Sequence, residues 1–309
     1  MFNAYTRLSP LVDETQISLS EKFIHVQIAS LAKELEKLRA LHDNLWFELP
    51  TENLSDEEFS FLKNKILRIK KKYPASFIAK YPIGHCFHIT STLVEYIEKY
   101  EISKAFSPLN YLDNFIKKGG TFKKIWGLYN KSHFQTAIQI GEWYVDIAAD
   151  TFEKQNQQVE FCLIKNARFS SFDSIEEYHR ILQNEENKTL YFNTLFPALW
   201  PYFPFFLKSK NKVSIPESKY LSGLCTHDNF KALKNILTKN EIDMLPQDEL
   251  DSITEKINRV KESYLRKEYL QSRNIYKNEF PSLLRKADNE RTDILKAVNY
   301  INFILNNVK

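Results

Sequence analysis

Residues 131–152, KSHFQTAIQIGEWYVDIAADTF, hold two runs in which apolar and polar side chains alternate, separated by the short segment Ile140 to Glu142. Alternation with a period of two is typical of half-buried strands, and a glycine between two such runs indicates a tight turn. The stretch therefore predicts a β-hairpin and, with it, an antiparallel sheet. His133 opens the first strand and Asp146 ends the second.

The position of the turn decides which acid lies near His133. Because His133 and Asp146 are an odd number of residues apart, a two-residue or four-residue loop puts both side chains on one face of the hairpin. A turn centred on Ile140 and Gly141 places Asp146 opposite Gln135, on a diagonal of about 7 Å from His133. We expect this register, in which the carboxylate reaches the imidazole.

A second register stays open. If Gly141 and Glu142 form the turn, Asp146 lies about 13 Å along the strand from His133. Asp150 then lies opposite His133 instead. Asp150 is therefore the alternative partner of the imidazole.

A cysteine precedes the hairpin in KYPIGHCFHITSTLVEYIEKY, residues 80–100. The residues after it place apolar groups on one helix face at Leu93, Val94, Ile97 and Tyr100. Cys86 is thus expected in the first turn of a helix, after a turn containing Pro82 and Gly84. The free N–H groups and positive potential of a helix N-terminus favour a thiolate and can also bind an oxyanion. Cys86 is therefore a candidate nucleophile.

Two other interpretations of this segment remain. His85, Cys86 and His88 carry side chains that bind zinc, but only these three lie so close and no CxxC pair supplies more ligands. A single cysteine is also commonly a small buried apolar residue, which is the interpretation we give to Cys162 in QVEFCLIK. We expect neither a metal nor a cofactor.

The order of these motifs resembles the papain-like and transglutaminase-like cysteine enzymes. GHC at a helix start is followed by a histidine opening HFxxxIxIGEWYVD, with an aspartate at the end of the next strand. The resemblance covers residues 76–152 and is closest to bacterial toxin and effector domains. It implies a catalytic triad in which Cys86 is the nucleophile, His133 the general acid and base, and Asp146 the group that orients the ring.

The chain departs from this group at one position. Many members carry a glutamine ahead of the cysteine as an oxyanion donor, and Lys80 and its neighbours offer none. Gln135, Gln139 or backbone N–H groups would have to take that part. Arylamine N-acetyltransferases share the triad order and a GxCF-like stretch, here GHCF, but their glycine-rich surroundings are missing.

The helical patterns on either side complete an expected α+β fold. A papain-like catalytic core with an antiparallel hairpin sheet spans 76–211, between an N-terminal helical region, 1–75, and a C-terminal one, 212–309. A capping box at Ser55 and Glu58 begins one N-terminal helix, and an apolar pattern with a capping box at Ser18 and Glu21 predicts another over about 19–45. A narrow apolar seam near the other end consists of Leu250, Ile253, Ile257, Val260 and Tyr264. We expect it to dock on the N-terminal helices, with a surface for another protein as the alternative.

Composition limits the classes of partner. Lys and Arg number 43 against 39 Asp and Glu, and the net charge of +4 is too small to indicate nucleic acid. No uncharged apolar run reaches the roughly 18 residues of a membrane span, and the first residues lack the apolar region of a signal peptide. Three cysteines, an odd number, fit a reducing compartment. We expect a protein that is cytoplasmic where it is made, and the resemblance implies an effector delivered into a host cell.

The expected reaction is attack of a thiolate on a carbonyl or carboxamide, through a tetrahedral intermediate to a thioester. The acceptor then distinguishes a protease, a glutamine deamidase and a transglutaminase. The large helical flanks favour a protein substrate. The competing hypothesis is a non-enzymatic helical adaptor with a degenerate catalytic core.

Overall fold

The computed structural model describes residues 9–259, with gaps at 52–53, 103, 105–106, 153–156, 173, 197–198, 200–202, 211, 217–220, 222–223, 226–235 and 237–241, together with Val298, Ile301 and Leu305. The described chain divides into one unit within Leu8–Ser171 and a second within Phe172–Lys309. The N-terminal helices and the hairpin sheet belong to the first unit, so no boundary falls near residue 75. The segment expected as one core over 76–211 divides after Ser171.

The first unit combines helices with a single sheet. Its helices are α1 (Glu14–Phe23), α2 (Ile28–Trp46), α3 (Asp56–Lys72), α4 (Ala75–Ile78), α5 (Cys86–Tyr96) and α6 (Tyr111–Lys117). A 3-10 turn, His25–Gln27, separates α1 from α2, so the long helix expected over 19–45 is broken there. Asp13 caps α1 by accepting from the Gln16 N–H at 2.9 Å, which leaves the Ser18 pattern inside the helix.

The capping box of α3 is confirmed. The Ser55 hydroxyl accepts from the Glu58 N–H at 3.3 Å, and the Glu58 carboxylate accepts from the Ser55 N–H at 2.8 Å. These bonds satisfy two backbone donors that the first turn would otherwise leave unpaired. The helix ends at Lys72, and Tyr73 is extended ahead of Pro74, as a residue before proline prefers to be.

A five-stranded antiparallel sheet packs against these helices. Its strands are β1 (Phe122–Tyr129), β2 (His133–Ile140), β3 (Trp143–Asp146), β4 (Glu160–Leu163) and β5 (Phe169–Ser170), in the order β4-β3-β2-β1-β5. The main core joins helices α2, α3 and α5 to β2 and β3 through Leu31, Leu35, Leu62, Ile66, Ile89, Leu93, Ile138, Ile140 and Val145. The apolar face of α2 is thus buried inside its own unit.

The β2–β3 hairpin is confirmed, but its expected register is wrong. Ile140 pairs with Trp143, so the turn consists of Gly141 and Glu142. Gly141 has φ +59, and a Cβ there would overlap the hydroxyl of Ser20 in α1, which accepts from the Glu142 N–H at 3.0 Å. A glycine is needed at this turn position, and α1 holds the turn in place.

The second unit contains a small antiparallel sheet. Its described elements are α7 (Ile175–Glu186), β6 (Lys188–Phe192), β7 (Phe205–Ser209), β8 (Lys212–Ser214) and α8 (Gln247–Arg259), with strand order β6-β7-β8. The strand β8 lies in the part of the chain that was expected to be helical, and it pairs with β7. Within the described ranges, no helix is long and apolar enough to cross a membrane.

We expected the C-terminal seam to dock on the N-terminal helices. For the residues of the seam that the structure describes, this prediction is wrong. Ile253 and Ile257 in α8 are buried in a cluster with Phe196 and Phe206 of their own unit. The aromatic residues of that cluster supply the apolar surface that an amphipathic helix needs. Val260 and Tyr264 of the seam lie outside the described residues.

We expect Gly141→Ala to lower the free energy of unfolding by about 2 kcal/mol or more, because the methyl group adds overlap with Ser20 to the cost of a positive φ. Gly119→Ala is the matched control, since Gly119 has φ +97 but no atom within 4 Å of its added Cβ. That control should lose only the backbone cost, about 1 kcal/mol. Urea unfolding of both variants tests this, and equal losses would contradict the role of α1 at the turn.

Candidate functional site

Cys86 is the first residue of α5, as its sequence pattern predicts. The turn before it contains Gly84, whose φ of +76 favours glycine. The Gly84 N–H donates to the Thr151 carbonyl at 3.0 Å. The chain following β3 therefore holds the turn from which α5 starts.

The Cys86 sulfur is partly buried against β2. Its thiol donates toward the Phe134 carbonyl, with Sγ and O 3.9 Å apart. Burial raises the pKa of Cys86 to about 11, and Asp146 adds to the rise, while backbone N–H groups of Thr136 and Phe87 and the Thr136 hydroxyl act in the opposite direction. The helix N-terminus was expected to lower this pKa, but desolvation by the packed strand dominates. In this arrangement Cys86 is a neutral thiol.

Asp146 is fully buried on the sheet. Its carboxylate accepts hydrogen bonds from Gln135 Nε2, from the Tyr144 hydroxyl at 3.1 Å and from the Ala148 N–H at 2.9 Å. Burial raises the pKa of Asp146 to about 7 although these three donors oppose the rise. The carboxyl group therefore changes its charge near neutral pH.

His133 lies at the exposed first position of β2. Strand alternation puts His133 on the same face of the sheet as Ala137. On that face Ala137 packs in a cluster with Ile125 and Tyr144. The helix α5 packs on the opposite face. The His133 ring lies 5.0 Å from the ring of Phe152, measured between centroids. The observed register places Asp146 on the same face as His133 but about 13 Å along the strand from it, while Cys86 lies on the α5 side of the sheet. The structure therefore does not bring the three residues of the expected triad together, and the His133 ring packs against Phe152.

Asp150 forms a buried ion pair with Arg39. It lies in a 3-10 turn, Ala149–Thr151, and not on a strand. Arg39 donates to both of its carboxylate oxygens, at 2.8 and 3.0 Å, and also to the Ile147 carbonyl at 3.0 Å. The Gly141–Glu142 register was the one in which Asp150 would face His133, but this carboxylate is instead paired with Arg39 inside the unit.

The two glutamines considered as oxyanion donors both donate their side-chain hydrogen bonds to other groups. Gln135 Nε2 donates to Asp146, as described above. Gln139 Nε2 donates to the carbonyls of Leu11 and Gly141, at 2.6 and 2.7 Å. The backbone N–H groups at the start of α5 are therefore the better candidates for oxyanion stabilisation.

The histidines beside Cys86 pack among aromatic rings. The His85 ring stacks on Phe77, with centroids 4.2 Å apart, and its Nε2 lies 3.1 Å from the Phe77 carbonyl oxygen. His88 packs edge-on against Tyr73, and burial lowers its pKa to about 4. In the part of the chain that the structure describes, no cluster of three or more His, Cys, Asp and Glu residues could hold a metal ion.

The other two cysteines do not share the surroundings of Cys86. Cys162 lies in β4 opposite Tyr144 and packs against a small apolar cluster, where burial raises its pKa to about 11. Cys225 is fully buried in the second unit, and burial raises its pKa still further. Only Cys86 among these three begins a described helix.

Sequence reasoning missed three residues that surround the sulfur and the acid. Thr136 contacts Cys86, Tyr144 bonds Asp146, and Arg39 fixes the segment after β3. The alternation of β2 and β3 assigned Thr136 and Tyr144 to strands, but no sequence signal distinguishes them from other strand residues. Arg39 was missed because the apolar pattern of α2 gave no reason to expect a buried charge, yet the residue is fully buried in that helix.

No protein-family model, curated protein or solved structure matches the chain. The functional argument therefore depends on the geometry of this site and on the motif order in the sequence.

The titration of Asp146 predicts a pH dependence of stability. Its pKa of about 7 in the folded chain exceeds the ordinary value of 3.8, so between these values the folded state binds more protons. The free energy of unfolding should therefore fall as the pH rises from about 4 to about 7. Asp146→Asn should remove this contribution, up to about 1.4 kcal/mol per pH unit. Urea unfolding across this range measures it, and parallel slopes for both proteins would contradict the assignment.

Arg39→Met should destabilise the chain by about 3–5 kcal/mol, because it leaves the Asp150 carboxylate buried without its partner. The double variant Arg39→Met with Asp150→Asn should recover part of that loss. Lys37→Met, on the exposed face of the same helix, is the matched control and should change stability by less than about 0.5 kcal/mol. Urea unfolding of the four proteins tests the pair, and a double variant no more stable than Arg39→Met would argue against it.

Proposed function

We propose that this chain is a cysteine-dependent acyl-transfer enzyme that acts on a protein substrate, with Cys86 as its nucleophile. The observation that carries the proposal is the position of Cys86 at the first residue of α5, with its sulfur against the Phe134 carbonyl of a hairpin strand. The order of these elements along the chain is also that of the papain-like and transglutaminase-like enzymes that the sequence resembles. A papain-like core and a Cys86–His133–Asp146 triad are part of this proposal.

The chemistry begins with removal of the thiol proton. A thiol with a pKa of about 11 needs a base, and His133 is the base in this proposal. The sulfur then bonds to the substrate carbonyl carbon, and backbone N–H groups at the start of α5 stabilise the oxyanion. The imidazolium returns its proton to the leaving amine or ammonia, and a thioester remains. An acceptor, water or a lysine amine, displaces the sulfur, which regains a proton.

The proposed reaction requires His133 to move. Its ring packs on Phe152 on the face of β2 away from α5, and in the observed register Asp146 lies about 13 Å along the strand from it. The exposed start of β2 therefore has to rearrange before the three groups can meet. A His133 cation beside the sulfur would then favour the thiolate. The neutral thiol is then a resting state that substrate binding converts to the reactive one.

The competing hypothesis, a helical adaptor, is less well supported, because the described parts of the two apolar seams that it would use are buried. The apolar face of α2 is buried against α3, α5 and the sheet, and Ile253 and Ile257 of α8 are buried in the second unit. A partner-binding seam has to be exposed. We therefore retain the enzyme, and with it the proposal that the chain is an effector delivered into a host cell.

An acyl donor without protein specificity tests the nucleophile. Incubation with p-nitrophenyl acetate should add one acetyl group to the peptide that contains Cys86, read by mass spectrometry before and after hydroxylamine. Cys86→Ala should abolish this labelling, and Cys162→Ala, which removes a thiol of similar pKa, should retain it. His133→Ala should slow labelling by about a hundredfold or more, because it removes the base.

Labelling that persists in Cys86→Ala, or that is unaffected in His133→Ala, would overturn the mechanism. A glutamine-containing peptide, supplied with and without a fluorescent primary amine, then identifies the acceptor. Cleavage of the peptide indicates a protease, conversion of glutamine to glutamate a deamidase, and attachment of the amine a transglutaminase.

A further inference from the structure

The Thr136 hydroxyl is a buried polar group without a hydrogen-bond partner among the described residues. Thr136 is 2% exposed, so its hydroxyl is shielded from bulk solvent. A buried hydroxyl that is left unpaired costs folding free energy, and valine has nearly the same shape without that cost. The hydroxyl therefore contributes nothing to the resting fold that valine would lack.

Thr136 lies at the place where α5 crosses β2. The Thr90 hydroxyl of α5 donates to the Thr136 carbonyl at 3.0 Å. One turn earlier in α5, the Cys86 sulfur lies against the Phe134 carbonyl of the same strand. The side chain of Thr136 points to the α5 side of the sheet, the side on which the sulfur lies two residues away along the strand.

We propose that the Thr136 hydroxyl is a catalytic hydrogen-bond donor, whose partner is the Cys86 sulfur in its anionic state. The inference rests on the proposed function, because it assigns a role to Thr136 in the reaction of that nucleophile. It also explains why an unpaired hydroxyl is kept in the core: its partner exists only after the sulfur loses its proton.

The neutral thiol and the thiolate of Cys86 have different hydrogen-bond partners. The thiol donates its proton toward the Phe134 carbonyl, and the Thr136 hydroxyl is then unpaired. When the proton passes to the base, the sulfur changes from a weak to a strong acceptor and no longer interacts favourably with that carbonyl oxygen. The Thr136 hydroxyl turns its hydrogen to the sulfur and keeps its own proton throughout. The hydroxyl accordingly lowers the pKa of Cys86, against the larger effect of burial.

The pH dependence of Cys86 alkylation tests this role without a substrate. Iodoacetamide reacts with the thiolate, and the rate at the Cys86 peptide is measured by mass spectrometry over a series of pH values. Thr136→Val should react about tenfold more slowly than the unmodified chain at any pH below the thiol pKa, because a hydrogen bond to a charged group is lost. Thr136→Ser, which keeps the hydroxyl, should remain within about twofold.

Thr90→Val is the matched control, since it removes a hydroxyl from the same contact between α5 and β2 at a position that bonds the strand backbone and not the sulfur. Its alkylation profile should be unchanged. Stability gives a second measurement: Thr136→Val should unfold at the same or a higher urea concentration than the unmodified chain, because it removes an unpaired buried group. Slower alkylation combined with undiminished stability is a result that a purely structural role does not produce.

An unchanged profile in Thr136→Val would overturn the inference, and so would an equal loss in Thr136→Ser. The outcome is separate from that of the proposed function. If Thr136→Val reacts slowly but p-nitrophenyl acetate never labels Cys86, the acyl-transfer proposal fails alone. If labelling occurs and the alkylation profile is insensitive to Thr136, only the role of this hydroxyl is wrong.

Discussion

The buried pair of Arg39 and Asp150 connects the N-terminal helices to the site. Arg39 is fully buried in α2, and it donates to Asp150, to Asp43 and to the Ile147 carbonyl. Burial alone lowers the pKa of an arginine, but hydrogen bonding to Asp150 and the nearby negative charges outweigh it, so the pKa of Arg39 is raised and the guanidinium stays charged. Removing both charges from water is costly, and several hydrogen bonds to one planar group are what offset that cost.

The position of Cys86 depends on this pair through the backbone. Arg39 holds the chain between β3 and the end of the following 3-10 turn, where Thr151 lies. The Thr151 carbonyl accepts the N–H of Gly84, and Cys86 begins its helix two residues later. A polar contact inside the helical layer thus determines where the sulfur meets β2. It also explains why the two aspartates of the hairpin region differ: Asp150 is paired with a cation, and Asp146 is surrounded by neutral donors.

Local features of the sequence predicted local structure. The capping box at Ser55, the helix that starts at Cys86 and the two strands on either side of Gly141 all follow from short-range patterns, and the structure has them. The expected hairpin register was wrong and the alternative one, with Gly141 and Glu142 at the turn, is observed. Alternation alone does not decide between them, and the Ser20 hydroxyl that bonds the Glu142 N–H is far away in the sequence. The alternation also put His133 and Asp146 on one face, but it could not tell on which face α5 would pack. The pKa of Cys86 was misjudged for the same reason, since the burial that raises it comes from a strand that is remote in sequence.

In the proposed reaction, the charges around the sulfur would keep the thiol neutral at rest and let a cation make it reactive. Burial raises the pKa of Cys86, and the nearby charge of Asp146 adds to the rise. With the His133 ring on Phe152, the favourable state keeps the thiol neutral, which protects it from oxidation. A cation placed beside the sulfur reverses the balance, because it is attracted to the thiolate. The hydroxyl of Thr136, unpaired while the sulfur is neutral, would then gain its partner, so the same event would satisfy a buried donor and create the nucleophile.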